Sequence, residues 1–214
     1  MNYSINSIKL FFKCIIAILF LCSCNGQNAN KEDCKTNFIK ARTKLNKFYT
    51  ENNPVLISDA VKDVEKSLDC PETRSASIDL KISALSLLKK YDVAYKFIDS
   101  LEEKDFSKPY KKKMQYNFFK ALDCESKLQN DDKKKYFDIA ITEIQTFINH
   151  QKTIDQESYY ELFLVKSKIL SAEQVSDEIN ILKIKYPAEK NFFESLKESF
   201  DENPKQVNAS INNN

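Results

Sequence analysis

From Cys34 to about residue 201, apolar residues recur every three to four positions, the spacing that gathers them on one side of an α-helix. Cys34, Phe38, Ala41, Leu45 and Phe48 form the first stripe, and Ile57, Ala60, Val61, Val64 and Leu68 the second. Ile78, Ile82, Leu85 and Leu88 follow, then Val93, Ala94, Phe97, Ile98 and Leu101. Met114, Phe118, Ala121 and Leu128 mark a fifth helix, and Phe137, Ala140, Ile144 and Phe147 a sixth. Tyr159, Leu162, Phe163 and Ile169 make a seventh, Val175, Ile179 and Leu182 an eighth, and Phe192, Leu196 and Phe200 a ninth. Asn52-Asn53-Pro54, Pro71, Pro109 and Pro187 fall between stripes, where proline removes no helical hydrogen bond. Short connections make neighbouring helices antiparallel partners. The pattern predicts an all-α fold over residues 34–201, with no alternating strand pattern. Residues 24–33 are polar without apolar periodicity and read as a tether, and residues 202–214 as a disordered tail.

Helices arriving in pairs call for a repeat test. Ala60 and Ala94 stand 34 residues apart, Ala140 follows after 46 and Val175 after another 35. Tyr91-Asp-Val-Ala94-Tyr-Lys-Phe-Ile98-Asp-Ser-Leu101 resembles the second helix of a tetratricopeptide repeat, with its small residue at a close helix crossing. Tyr159, Leu162, Val175, Ile179, Leu182 and Pro187 are similar to a whole repeat of that family. The resemblance implies about four antiparallel pairs over residues 31–187, stacked as a short right-handed superhelix, with a capping helix to residue 201. Bulky Phe163 stands where the first helix of such a repeat usually has a small residue. An irregular helical bundle is therefore the alternative, and either arrangement puts the stripes in a core.

The amino terminus is of another kind. Residues 1–23 carry Lys9 and Lys13, no acidic residue, and an apolar core from Cys14 to Cys22 that is too short to span a bilayer. A basic start, a short apolar core and a small residue before the cut describe a secretory signal peptide that is removed. Leu21-Cys22-Ser23-Cys24 resembles the lipobox of bacterial lipoproteins. The resemblance implies diacylglycerol on the Cys24 thiol, cleavage before Cys24 and acylation of the new amino terminus. Each buried methylene contributes roughly 0.8 kcal/mol, so several chains together hold a protein to the bilayer. Asn25, rather than Asp, follows the cysteine, which by analogy with enteric lipoproteins points to the outer membrane, on its periplasmic or surface face.

Removing the signal also alters the charge. Without its two lysines the 33 basic residues become 31, against 31 acidic residues. Nucleic-acid binders usually carry a focused basic excess, so nucleic acid is set aside as a partner. Gly26 is the only glycine and lies in the tether. Phosphate-cradling loops and dinucleotide turns need glycine where backbone approaches phosphate or takes positive φ, so no such cofactor is expected. His150 is the only histidine and is placed near the end of a helix, where a cation suits the dipole. Triads and zinc sites need further partners, so neither a metal nor a catalytic residue is assigned and the chain does not read as an enzyme.

Cys34, Cys70 and Cys124 remain besides Cys24 in the exported chain. Cys34 opens the first helix and Cys70 closes the second, 17 and 14 residues from the connecting turn at residues 51–56. At a rise of about 1.5 Å per residue the two ends are level within a helical turn. A Cys34–Cys70 disulfide is expected in an oxidising compartment, with two buried free thiols as the alternative. Cys124 reads as a free core thiol.

These readings favour a membrane-anchored, non-catalytic module that binds a protein or peptide in the cell envelope. Paired-helix repeats commonly hold a partner on a concave face. By resemblance the first helix of each pair lines that face, which gives Asp79, Ser83, Lys113, Asn117, Lys120 and Tyr160 as candidate contacts. Lys113, Asn117 and Lys120 share one helix face at i, i+4 and i+7. Tyr110, Lys111, Lys112, Lys113 and Tyr116 form a basic, aromatic cluster nearby. A lipid-anchored immunity or inhibitor protein that neutralises a toxin is the alternative function.

Overall fold

The computed structural model describes residues 31–201, so Cys24, the signal segment, most of the tether and the tail lie outside the described residues. Within them the chain is all-α, with no strand. Nine α-helices follow in order: α1 Lys31–Glu51, α2 Pro54–Glu65, α3 Arg74–Leu87, α4 Tyr91–Asp99, α5 Lys111–Ser126, α6 Asn130–Asn149, α7 Gln156–Lys166, α8 Ala172–Lys185 and α9 Lys190–Asp201. Short 3₁₀ turns at Glu103–Asp105 and Pro187–Glu189 interrupt two of the connections.

Local chemistry starts several of these helices. Asn53 Oδ1 accepts from the Val55 amide at 3.1 Å, and Pro54 occupies the first turn of α2, where its missing N–H costs nothing. Asp155 caps α7 by accepting from the Ser158 amide at 3.3 Å. Ser171 and Gln174 cap α8 reciprocally, at 3.2 and 2.9 Å, satisfying two amides that the first turn leaves without partners.

The first helix of each of the first three pairs ends in a way that a chain without glycine in this region must improvise. Asn52, Lys89 and Leu128 take positive φ, at 50°, 53° and 60°, just past the ends of α1, α3 and α5. Lys90 N bonds Leu85 O at 2.9 Å and Lys89 N bonds Ser86 O at 2.9 Å, the paired bonds of a Schellman closure. Gln129 N to Cys124 O at 2.9 Å and Leu128 N to Glu125 O at 3.1 Å repeat it, while Asn52 N to Phe48 O at 2.8 Å makes the single-bond form. A side chain with a Cβ pays roughly 1 kcal/mol for this conformation, yet it turns each chain segment straight back into the next helix.

Consecutive helices pack against one another. The largest core joins Ile78, Ile82 and Leu85 of α3, Ala94 and Ile98 of α4, Phe119 and Leu122 of α5, and Phe137, Ala140 and Ile144 of α6. Tyr159 and Phe163 of α7 meet Val175 and Ile179 of α8 and Phe193, Leu196 and Phe200 of α9 in a second core. Ala60, Ala94, Ala140 and Val175, the positions that recur along the chain, are all fully buried. A disulfide joins Cys34 near the start of α1 to Cys70 beyond α2, with the Cα atoms 5.9 Å apart. Arg74 at the start of α3 grips Asp105 in the α4–α5 connection through two bonds, of 2.7 and 2.9 Å, and the Glu102 amide adds a third at 3.0 Å.

Several stripe residues take other places. Leu128 lies beyond α5 and is 85% exposed, because its positive φ turns it out of the helix. Phe193, not Phe192, fills the core with Leu196 and Phe200, a shift of one residue that the i, i+3, i+7 spacing accommodates equally well. Val93 is exposed, and Leu68 and Ile169 fall in the turns after α2 and α7.

Candidate binding groove

Alternate helices converge on one surface. A cleft of about 360 Å³ is lined by Tyr49 of α1, Ile82, Ser83, Ser86 and Leu87 of α3, Met114, Gln115, Phe118 and Phe119 of α5, and Glu161, Leu164 and Val165 of α7. Its residues keep helical spacing: Ser83 and Ser86, Gln115 and Phe118, Glu161 and Leu164 are each three apart on one face of their helix. The walls are mostly apolar, and Gln115 Oε1 is a buried acceptor without a hydrogen-bond donor.

One turn toward the amino-terminal ends of these helices the surface becomes charged. Lys111 Nζ reaches Glu157 at 2.6 Å and Glu161 at 3.3 Å. Lys108 Nζ bonds Asp155 at 2.7 and 2.8 Å and pairs with Glu157 at 2.7 Å. Buried Tyr110 donates its hydroxyl to Glu161 and lies 2.8 Å from the Ser158 hydroxyl. This network fixes the start of α7 against the start of α5, and so fixes the width of the cleft between them. Hydrogen bonds from Lys108 and Lys111 hold the Glu157 carboxyl below the usual range, while burial and the bond to Glu161 push the Tyr110 hydroxyl up. Asp79 of α3 faces the same network. Its side chain is exposed, but the surrounding protein desolvates the carboxyl and raises its pKa, with the nearby Lys111 charge opposing and Glu157 reinforcing the shift.

The six candidate contact residues are not brought together. Asp79 and Ser83 lie on the groove face of α3, one turn apart. Tyr160 is not among the cleft's lining residues and packs toward α9, its ring 6.2 Å from that of Phe200. Lys113, Asn117 and Lys120 occupy the side of α5 that faces away from the cleft. Lys113 pairs with Glu143 of α6 at 3.7 Å, Asn117 Nδ2 donates to the Lys113 carbonyl at 2.8 Å, and the Lys120 ammonium lies over the Tyr116 and Tyr136 rings. At about 100° per residue, a face centred on Lys111, Gln115 and Phe118 is opposite one centred on Lys113, Asn117 and Lys120. The basic, aromatic cluster around Tyr110 is likewise committed within the fold: Tyr110 and Lys111 belong to the network, Lys112 donates to the Leu101 carbonyl, and Tyr116 stacks edge-on with Tyr95.

The sequence reading missed Tyr49, Gln115, Phe118, Glu161 and Leu164 as groove residues. No glycine marks the ends of α1, α3 and α5, so nothing in the residue types there fixes how these helices are rotated toward the groove.

Elsewhere, His150 caps the end of α6, exposed, with Nδ1 2.6 Å from the Thr146 carbonyl. Cys124 is a buried free thiol whose pKa burial raises. Among the described residues no group of three or more His, Cys, Asp or Glu side chains is placed to hold a metal ion, and no helix is long and apolar enough to cross a membrane. No protein family, curated protein or solved structure matches this chain.

Proposed function

We propose that this chain is a lipid-anchored, non-catalytic module of the cell envelope that holds a peptide segment of a partner protein in the groove of α1, α3, α5 and α7. The observation that carries the reading is the make-up of that groove: it takes one helix from each successive pair. Stacked tetratricopeptide-like pairs would produce such a surface, because the first helix of each pair faces the inside of the superhelix and the second the outside. The recurrent buried positions Ala60, Ala94, Ala140 and Val175, all on second helices, support the same arrangement. Helix lengths from 9 to 21 residues make the stack uneven. Lipidation at Cys24 would keep the groove at the membrane surface, with the polar residues after it as a tether.

Site-specific photocrosslinking in native membranes tests this reading. A photoreactive residue at Ser83 or Tyr49, inside the groove, is expected to capture a discrete partner. The same group at exposed Ile181 or Ile184 of α8, outside it, is expected to capture none. Capture from α8 alone would move the binding surface to the outer face and remove the groove.

A further inference from the structure

The groove changes character in an ordered way along its length. Asp79, Lys111 and Glu157 form one tier, contributed by α3, α5 and α7. Four residues on, Ser83, Gln115 and Glu161 form the next, and three further on come Ser86 with Leu87, Phe118 with Phe119, and Leu164 with Val165. The sequence of tiers is charged, polar, apolar. At the charged end, the carboxylates of Asp79, Asp155 and Glu157, with Glu161 reaching back from the middle tier, face two ammonium groups, Lys108 and Lys111. Both ammonium groups are engaged with Asp155, Glu157 and Glu161, which leaves Asp79 as the carboxylate without a direct ion pair. Gln115 Oε1, in the middle tier, is an acceptor lacking a donor.

Resting on the groove reading above, we infer that the partner segment carries a cationic side chain, lysine or arginine, next to Asp79, and an apolar side chain about three residues away against Phe118 and Leu164. The distance follows from geometry. Asp79 and Leu87 are eight residues apart on α3, about 12 Å at 1.5 Å per residue, which an extended peptide covers in three to four residues. The cation answers the excess of carboxylates, and a peptide N–H or side-chain donor passing the middle tier answers Gln115. The raised pKa of Asp79 comes first from desolvation, which an incoming cation would offset by pairing directly with the carboxylate. An acidic partner segment would place like charges together and is disfavoured.

Fluorescence anisotropy on the full chain in detergent tests the inference, with a library of labelled hexapeptides. Each carries Lys, norleucine or Glu at one position and Leu, Phe or Ser three residues away, in both orders. Peptides pairing Lys with Leu or Phe are expected to bind at least about tenfold more tightly than their norleucine counterparts, and those with Glu most weakly. Asp79→Asn should erase the preference for Lys, and Asp79→Lys should turn it into a preference for Glu. Asp79 is on the surface, so a matching thermal melt is expected for both variants. Ser83→Trp, which fills the cleft from an exposed position, should weaken every peptide alike. If Lys and norleucine peptides bind equally and Ser83→Trp still blocks them, the groove stands and the cation preference is overturned. A preference that survives Asp79→Lys overturns it as well. If no peptide binds at any composition, both this inference and the groove reading fail.

Discussion

The guanidinium of Arg74 holds the carboxylate of Asp105 in a two-bond fork, Nε to Oδ1 at 2.7 Å and a terminal nitrogen to Oδ2 at 2.9 Å, between residues 31 positions apart in the chain. The fork ties the start of α3 to the connection that leads into α5, and both helices line the groove. The Asp105 side chain is 3% exposed, so its charge depends on this partner. The Arg74 bonds, aided by the Glu102 amide, lower its pKa from 3.8 to about 2.

A carboxyl with a depressed pKa binds protons more readily when unfolded than when folded. Its contribution is complete above about pH 4 and is lost as pH falls toward 2. The shift corresponds to about 2 kcal/mol. Asp105→Asn should therefore unfold about 2 kcal/mol more easily in urea at pH 7 and lose less further stability than the parent between pH 5 and pH 2. Parallel pH profiles for the two proteins would refute the account.

Leu128 offers a test of the glycine-free helix ends. Its side chain is almost fully exposed, so replacing it sacrifices little packing, while its positive φ carries a steric cost that glycine lacks. Leu128→Gly is expected to stabilise the fold by about 0.5–1 kcal/mol, whereas Leu128→Ala keeps the Cβ and should not. Equal melting temperatures for the parent and the glycine variant would argue against strain at this turn.

The Cys34–Cys70 bridge closes a span of 36 residues around α1 and α2. By the loop-entropy argument such a closure stabilises by about 3–4 kcal/mol. Changing both cysteines to serine should lower the urea midpoint accordingly, with α1 and α2 losing amide protection first because they pack on the rest of the core mainly through α3. A double variant as stable as the parent would deny the bridge this role.

Cys24→Ala probes the anchor. The variant is expected either to appear in the soluble fraction or to accumulate with its signal segment uncut. Processed protein that remains on the membrane as the parent does would discard lipidation at Cys24 as the attachment.

Much of the architecture was already legible along the chain. Nine apolar stripes at helical spacing correspond to nine helices in the same order, since burying one face of a helix requires that spacing whatever the neighbours are. Pro54, Pro71, Pro109 and Pro187 placed breaks between the stripes, since proline acts within a turn of the chain. Rotation of each helix about its own axis was another matter. Helix α5 carries Met114, Tyr116, Phe118, Phe119, Ala121 and Leu122, apolar on nearly every side because α4, α6 and the groove all contact it. No single stripe then identifies the inward face, and a displacement of two residues exchanges Lys111, Gln115 and Phe118 for Lys113, Asn117 and Lys120. The positive φ of Asn52, Lys89 and Leu128 likewise arises from closing one helix onto the next and is not written in the residue type. Which segments are helices and where they break follows from local spacing and proline, which act over a few residues of chain. Which side of each helix meets the groove is set by contacts between residues far apart in the chain, and so emerges only when the helices pack.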